Sequence, residues 1–103
     1  MKKNNLIKIL KKNKYCIFFF YTLWCQTCLY VKPIFNKIKK KFKKKIYFLS
    51  INIEKKKYSK NTKIFNINYI PTFIFFKKSI EKKRYLGVIN KKKFKNKCLS
   101  LIK

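Results

Sequence analysis

Acidic residues, histidine and glycine are rare or missing in this chain of 103 residues. It contains 2 Asp and Glu against 30 Lys and Arg, no histidine and one glycine, Gly87. The two prolines, Pro33 and Pro71, stand alone, and the sequence shows neither a linker nor an internal repeat. The length suits one modest hydrophobic core. We therefore expect a single domain over residues 1–103.

The shortage of acidic residues leaves a formal net charge of +28, which first suggests binding to nucleic acid. The cations are almost all lysine, however, and Arg84 is the only arginine, the residue expected at bidentate base contacts. Lysines are spread along the whole chain, and residues with A/T-rich codons dominate it. Mutational bias explains this pattern better than selection, so we expect no specific nucleic-acid partner. Salt-sensitive binding to polyanions follows from the charge regardless.

One run, residues 15–31, carries no charge for 17 residues and follows a lysine-rich start. Such a run resembles a signal peptide or a short membrane anchor, but a membrane-spanning helix needs about 20 apolar residues. The run also contains Gln26 and two cysteines, and it has no small-residue cleavage site. We expect a cytoplasmic, monomeric protein that does not associate with membranes.

The chain has four cysteines, Cys16, Cys25, Cys28 and Cys98. In a reducing compartment such a set indicates catalysis or metal binding rather than a disulfide framework. A structural zinc site needs about four ligands, and the chain has no histidine and no second C-x-x-C pair. We expect no metal and no bound cofactor, with metal bridging two chains as the remaining alternative. Cys16 and Cys98 are expected in the core.

Hydropathy patterning predicts the element order α-β-α-β-α-β-β-α. The predicted helices cover residues 5–12, a stretch from within the C-x-x-C pair to Phe42 with a kink at Pro33, part of 55–66, and a last segment after Asn90. The predicted strands cover residues 15–21, 45–53, 72–77 and 82–86. Two strand–helix–strand steps followed by a hairpin imply an α/β fold, a mixed central sheet of about four strands with helices on both faces.

The candidate chemistry lies in Cys25 and Cys28, where a buried strand ends and a helix begins. A helix N-terminus presents unpaired N–H groups and a partial positive charge, which favour the nucleophilic thiolate. Cys25, at the helix entrance, is expected to be the more exposed thiol. Cys28, one turn into the helix, is expected to be shielded and placed to attack a mixed disulfide on Cys25.

Several motifs together resemble the thioredoxin family. The stretch from Phe20 to Cys28, F-Y-T-L-W-C-Q-T-C, resembles that family's aromatic strand end and W-C-x-x-C signature. Further matches are Pro33 in the active-site helix, Asn52-Ile53-Glu54 at a strand end, Tyr69-Ile70-Pro71-Thr72-Phe73 as the I-P-T segment, and Gly87 before the last helix. The similarity runs from about Leu6 to Ile102.

The resemblance implies a thioredoxin-like fold and a protein-disulfide reductase. Cys25 would attack a client disulfide and Cys28 would resolve the mixed disulfide, leaving a redox-active Cys25–Cys28 disulfide. Partners would be disulfide-containing client proteins and an electron donor, either an NADPH-linked enzyme like thioredoxin reductase or a small thiol.

The same resemblance assigns supporting roles around the cysteine pair. Pro71 would be cis and keep metal from the thiols, and the backbone of Ile70 would pair with an extended client segment. Trp24 would shape the surface beside the first cysteine. Gln26 and Thr27 stand where the family often has Gly-Pro, and this dipeptide would tune the reduction potential.

Other departures from the family pattern bear on mechanism. Phe19 replaces a buried acid and Ser50 replaces the lysine that accompanies it, so the base for Cys28 is missing and water or Glu54 would have to serve. The N-terminus is too short for the family's usual first strand, which favours four strands. Two alternatives stay open: a disulfide oxidase or isomerase of this fold, and a degenerate thioredoxin-fold binding protein with a polyanion-binding basic surface.

Overall fold

The computed structural model describes residues 5–103 as four helices around four strands. The helices are α1 (Asn5–Lys12), α2 (Gln26–Phe42), α3 (Ser59–Ile64) and α4 (Lys91–Leu101). The strands are β1 (Tyr15–Tyr21), β2 (Tyr47–Asn52), β3 (Thr72–Lys77) and β4 (Ile80–Leu86), and a 3-10 turn at Lys56–Tyr58 precedes α3. The predicted element order is confirmed, and the helix containing Pro33 runs without interruption to Phe42.

The strands form one mixed sheet with the order β2-β1-β3-β4. β1 pairs in parallel with β2 and antiparallel with β3, and β4 pairs antiparallel with β3. β1 is apolar on both faces because helices cover both sides of this inner strand, and its residues 16–20 are fully buried. Because of these strand directions, β1 and β2 end at the sheet edge where β3 begins. Loops from three parts of the sequence therefore meet at this edge.

Two hydrophobic clusters lie on opposite faces of the sheet, since successive β1 side chains point to opposite sides. On one face, α2 and α4 cover Phe19 and Phe73, whose rings stack 4.8 Å apart and within 6° of parallel. Phe94 of α4 packs on Phe73 with its ring centroid 5.3 Å away. On the other face, α1 and the end of α3 cover Phe18 and its neighbours. Helices on both faces are confirmed.

The β3–β4 turn is tighter than the sequence predicts. Lys78 and Ser79 alone form it, both with positive φ (52° and 69°), so β4 begins at Ile80 rather than at residue 82. Positive φ at both central residues suits the right-handed twist of a two-residue hairpin. Gly87 follows β4 at φ 97°, a region that glycine adopts without strain, and its N–H donates to the Pro71 carbonyl over 2.8 Å.

Arg84 ties the edge strand to the segment that leads toward Pro71. Its guanidinium donates to both carboxylate oxygens of Glu81 at 2.8 Å, which raises the pKa of Arg84. It also donates to the carbonyls of Phe65 (2.7 Å) and Asn66 (3.0 Å) at the end of α3. Only the planar, five-donor guanidinium serves all these acceptors at once, which accounts for arginine here in a lysine-rich chain.

Cys16 and Cys98 are fully buried on opposite faces of the sheet, as expected. Burial raises the pKa of Cys16 to about 11 and that of Cys98 to about 12, because the thiolate loses its hydration. Within residues 5–103, none of the helices is long and apolar enough to cross a membrane.

The packing of Phe94 predicts a large effect on stability. Phe94→Ala should lower the free energy of unfolding by about 3–5 kcal/mol, because its ring contacts Phe35, Phe73 and Phe75 with no exposure. Leu99→Ala in the same helix is the matched control, since Leu99 is 45% exposed and should change stability by less than about 1 kcal/mol. Urea unfolding followed by circular dichroism measures both, and equal losses would contradict this packing.

The raised pKa values of Cys16 and Cys98 predict that neither thiol reacts in the folded protein. At pH 8 a thiol with a pKa of about 11 is ionised in roughly one molecule in 1,000, and burial also blocks the reagent. Iodoacetamide should therefore leave both cysteines unmodified in the folded, reduced protein. It should label both once the protein is unfolded in concentrated urea. Mass spectrometry of the peptides reads the result, and labelling of the folded protein at the urea rate would contradict it.

Candidate active site

Cys25 and Cys28 lie where the carboxyl end of β1 leads into α2. Cys25 is the N-cap of the helix: its backbone is extended (φ −81°, ψ 111°), and its Sγ accepts a hydrogen bond from the Cys28 N–H at 3.1 Å. The two cysteines are joined by a disulfide, with their Cα atoms 5.2 Å apart. A sulfur atom thus takes the place that a Ser or Asp oxygen often has at a helix N-terminus.

Two neutral donors face the outer sulfur. Besides the Cys28 N–H, the Thr27 hydroxyl lies 3.3 Å from Cys25 Sγ, and it donates because a disulfide sulfur carries no hydrogen. Cys25 is 7% exposed and Cys28 1%. Cys25 is therefore the more accessible of the two cysteines, and Cys28 lies one turn further along α2.

The floor beneath the pair is apolar. Phe19 is fully buried in the cluster that contains both cysteines, and it stacks on Phe73. Ser50 is the β2 partner of Phe19 in the parallel register. The two positions at which the family pattern has an acid and a lysine are thus neighbours in the sheet, and they hold a phenyl ring and a hydroxyl.

Glu54 fixes the exposed indole beside the disulfide. Trp24 is 68% exposed, and its Nε1 donates to Glu54 Oε2 over 2.6 Å. Glu54 follows the end of β2, where its N–H donates to Asn52 Oδ1 over 3.0 Å. The sequence offers Glu54 as a substitute base for Cys28, but the structure pairs its carboxylate with Trp24. The chain uses this acid to hold the tryptophan in place.

Two segments flank the disulfide, and we call them the lips of the site. One lip is the segment from Trp24 to Cys28, and the other is the start of β3. The peptide bond between Ile70 and Pro71 is cis, and the Thr72 hydroxyl donates to the Tyr69 carbonyl over 2.5 Å. Thr72 pairs with Phe20 near the end of β1, which brings Pro71 to the same edge as the disulfide. Ile70 packs against the cluster that contains both cysteines.

The structure thus places the predicted site residues, 24–28 with Ile70 and Pro71, at one edge of the sheet, whereas Cys16 and Cys98 lie in the core. Adjacency along the chain accounts for those from residue 24 to residue 28, and the β1–β3 pairing adds Ile70 and Pro71. Gln26 and Thr27 are exposed in the first turn of α2. No cluster of three or more metal-ligating side chains occurs within residues 5–103.

Sequence reasoning missed part of the surface around the site. Leu23 and Tyr69 are exposed apolar side chains beside the two lips, and Leu29 and Tyr30 are exposed on α2. Hydropathy alone does not separate such residues from core residues, since both are apolar. Composition offers a signal that could have found these residues. Lysine is the commonest exposed residue in this chain, so a surface segment without lysine stands out.

The sequence model of the family "Thioredoxin" matches residues 1–100. Thioredoxin Y, chloroplastic, of Oryza sativa subsp. japonica is 33% identical over 79 residues, which cover 77% of this chain and 46% of that protein. Thioredoxin of Mycoplasma genitalium is 30% identical over 88 residues, covering 85% of this chain and 83% of that protein.

A solved structure of Plasmodium falciparum thioredoxin superposes with a TM-score of 0.81 at 25% identity, covering 90% of this chain and 87% of that chain. The chain spans about half the length of the curated plant thioredoxins it matches. The family match over nearly the whole sequence agrees with the four-stranded mixed sheet and the disulfide at the N-terminus of α2. The chain belongs to the thioredoxin family.

Proposed function

We propose that this chain is a thiol–disulfide oxidoreductase that reduces protein disulfides with Cys25 and Cys28. The observation that carries the proposal is the disulfide at the N-terminus of α2, in which Cys25 is 7% exposed and Cys28 1%. Cys25 acts as the nucleophile and Cys28 as the resolving thiol. The reduced form carries two thiols, and no metal or bound cofactor takes part.

The reaction proceeds by two exchanges of sulfur bonds. In the first, the Cys25 thiolate attacks one sulfur of a client disulfide, forms a mixed disulfide and releases the other client sulfur as a thiolate. In the second, Cys28 attacks Cys25 Sγ, closes the Cys25–Cys28 disulfide and releases the second client thiolate. The client gains two electrons and two protons, and the protein loses them.

The surroundings of the pair support these roles. The Cys28 N–H and the Thr27 hydroxyl are aimed at Cys25 Sγ, and the N-terminus of α2 adds its partial positive charge. Phe19 beneath the pair supplies no carboxylate to accept the proton of Cys28. That proton passes instead to water or to the departing client thiolate.

The client lies between the two lips of the site in this proposal. The Ile70 backbone beside Pro71 pairs with an extended client segment as a short added strand. Trp24, held by Glu54, forms the wall next to Cys25, while Gln26 and Thr27 line the entrance.

The geometry favours a reductant over an oxidant. A strongly oxidising pair has an especially stabilised reduced form, which a cation beside the thiolate provides. Here the donors on Cys25 Sγ are a backbone amide and a hydroxyl, both neutral, and the chain has no histidine. Electrons then come from an NADPH-linked reductase or from a small thiol.

A cytoplasmic, monomeric state fits this role. A dithiol reductant is kept in its reduced form in a reducing compartment such as the cytoplasm. A net charge of +28 on each copy opposes self-association.

The division of labour between the cysteines is tested by trapping. Cys28→Ser should form a stable mixed disulfide between Cys25 and a client peptide, because nothing then resolves it. Cys25→Ser should neither reduce nor trap the peptide. Mass spectrometry without reductant reads both results, and Cys98→Ala is the control that should keep full activity. Trapping through Cys28 in the Cys25→Ser variant would reverse the assigned roles.

The direction of electron flow is tested by the reduction potential. Equilibration with glutathione buffers and thiol alkylation should place the Cys25–Cys28 pair near −270 mV, roughly the value of a thioredoxin reductant. A value near −120 mV, roughly that of a strong oxidant, would contradict the reductant role. A pair that never forms a disulfide across this range would contradict redox function altogether.

A further inference from the structure

Thirty of the 103 residues are cationic, yet several segments of the chain carry no charge. Three of these segments are residues 15–31, 64–76 and 85–90. Burial accounts for much of the first two, which contain β1 and β3. It does not account for the bulky apolar side chains that these segments leave exposed, namely Leu23, Trp24, Leu29, Tyr30, Ile64, Tyr69, Leu86 and Val88.

The topology brings parts of the three segments to one face around the disulfide. The first leaves β1 and enters α2, the second enters β3 at Pro71, and the third leaves β4 at Leu86. The bond between the Gly87 N–H and the Pro71 carbonyl joins the last two directly. We call this face the neutral face and define it by Leu23, Trp24, Tyr69, Ile70 and Val88.

The neutral face is not explained by the bias that fills this chain with lysine. That bias places lysine wherever it is tolerated, and most other exposed positions follow it. Exposed large apolar side chains gathered at one place mark a contact surface. Neither burial nor the composition of the chain accounts for the absence of lysine from this face.

Cations border the neutral face. Lys32 of α2 lies with its Nζ 5.2 Å from the ring centroid of Tyr21, at the end of β1. The exposed residues Lys55, Lys56 and Lys57 directly follow Glu54, whose carboxylate holds Trp24. The chain's other carboxylate, Glu81, is bound to Arg84.

We propose that the neutral face takes client polypeptides whose disulfide lies in an apolar segment flanked by acidic residues, with Lys55–Lys57 as a local determinant of this preference. This rests on the proposed function and names its substrate class. The apolar segment covers the neutral face beside the disulfide, and the acidic flanks meet the bordering lysines. Charge complementarity of this kind raises association rate and selectivity between partners more than it raises affinity.

Other occupants fit the face less well. A second copy of the chain brings another +28 charge and is repelled. A nucleic acid binds through its phosphates to cations, and the side chains that define the neutral face carry none. An acidic polypeptide with an apolar centre complements both the face and its border.

The test uses three capped peptides with one apolar, cysteine-containing centre, each in disulfide linkage to the same uncharged cysteine peptide. The flanks are four Glu, four Gln or four Lys. Second-order rate constants for reduction by the pre-reduced protein are measured by chromatography from low salt to 1 M salt. At low salt the Glu peptide should react at least about tenfold faster than the Gln peptide, and the Lys peptide more slowly. The rates should converge at 1 M, where the screening length is about 3 Å.

Two matched variants test the local determinant. Lys55→Gln/Lys56→Gln/Lys57→Gln and Lys43→Gln/Lys44→Gln/Lys45→Gln each remove three consecutive exposed lysines and leave a net charge of +25, three below +28. The second triplet lies after α2 at the far end of the sheet, since β2 starts opposite Cys16. The ratio of Glu-peptide to Gln-peptide rates at low salt should fall several-fold in the first variant and stay close to wild type in the second.

The outcomes separate this proposal from the proposed function. Equal rates for the Glu and Gln peptides at low salt would overturn the acidic preference while leaving disulfide reduction intact. Equal losses in the two triplet variants would overturn the role of Lys55–Lys57 and assign the preference to total charge. If dithiothreitol reduces all three peptides and the pre-reduced protein reduces none, the proposed function itself fails. A second copy as occupant would show as dimerisation in sedimentation at low salt, and it would overturn the proposal.

Discussion

The junction between β1 and α2 is the constraint on which the rest of the structure depends. β1 is the inner strand whose residues 16–20 are fully buried, so its position is set by helices on both faces and strands on both sides. Because β1 is fixed, its carboxyl end delivers Cys25 to the start of α2 in an extended conformation. The capping bond from the Cys28 N–H to Cys25 Sγ then joins the chemistry of the site to the geometry of the helix. A change that moved β1 would move Cys25.

Aromatic side chains, rather than ionisable ones, pack against the cysteine pair. Phe19 and Phe73 stack beneath the disulfide, and Phe35 and Phe94 extend the same cluster into α2 and α4. The stacked rings hold the sheet and the helices together, but they bring no ionisable group to Cys28. The remaining control over the sulfurs comes from an amide, a hydroxyl and the helix terminus. The same residues therefore stabilise the fold and limit the chemistry.

The few residues that depart from the lysine-rich background have specific partners. Glu54 binds the indole of Trp24, and Arg84 joins Glu81 to the carbonyls at the end of α3. Gly87 adopts the positive φ at which its N–H reaches Pro71. In a chain so biased toward lysine, a residue of another type at an exposed position is itself informative. These residues border or support the edge of the sheet that carries the disulfide.

The sequence by itself determined the element order, the two-sided burial of β1 and the pairing of Cys25 with Cys28 at a helix entrance. These features depend on local pattern: hydropathy period, strand length and the spacing of two cysteines along one helical turn. Tertiary structure decided which distant groups meet. It placed Glu54 on Trp24, some 30 residues away along the chain, brought Pro71 to the disulfide and left Tyr69 exposed. Strand order and loop conformation set such contacts, and neither leaves a periodic signal in the residues that it brings together.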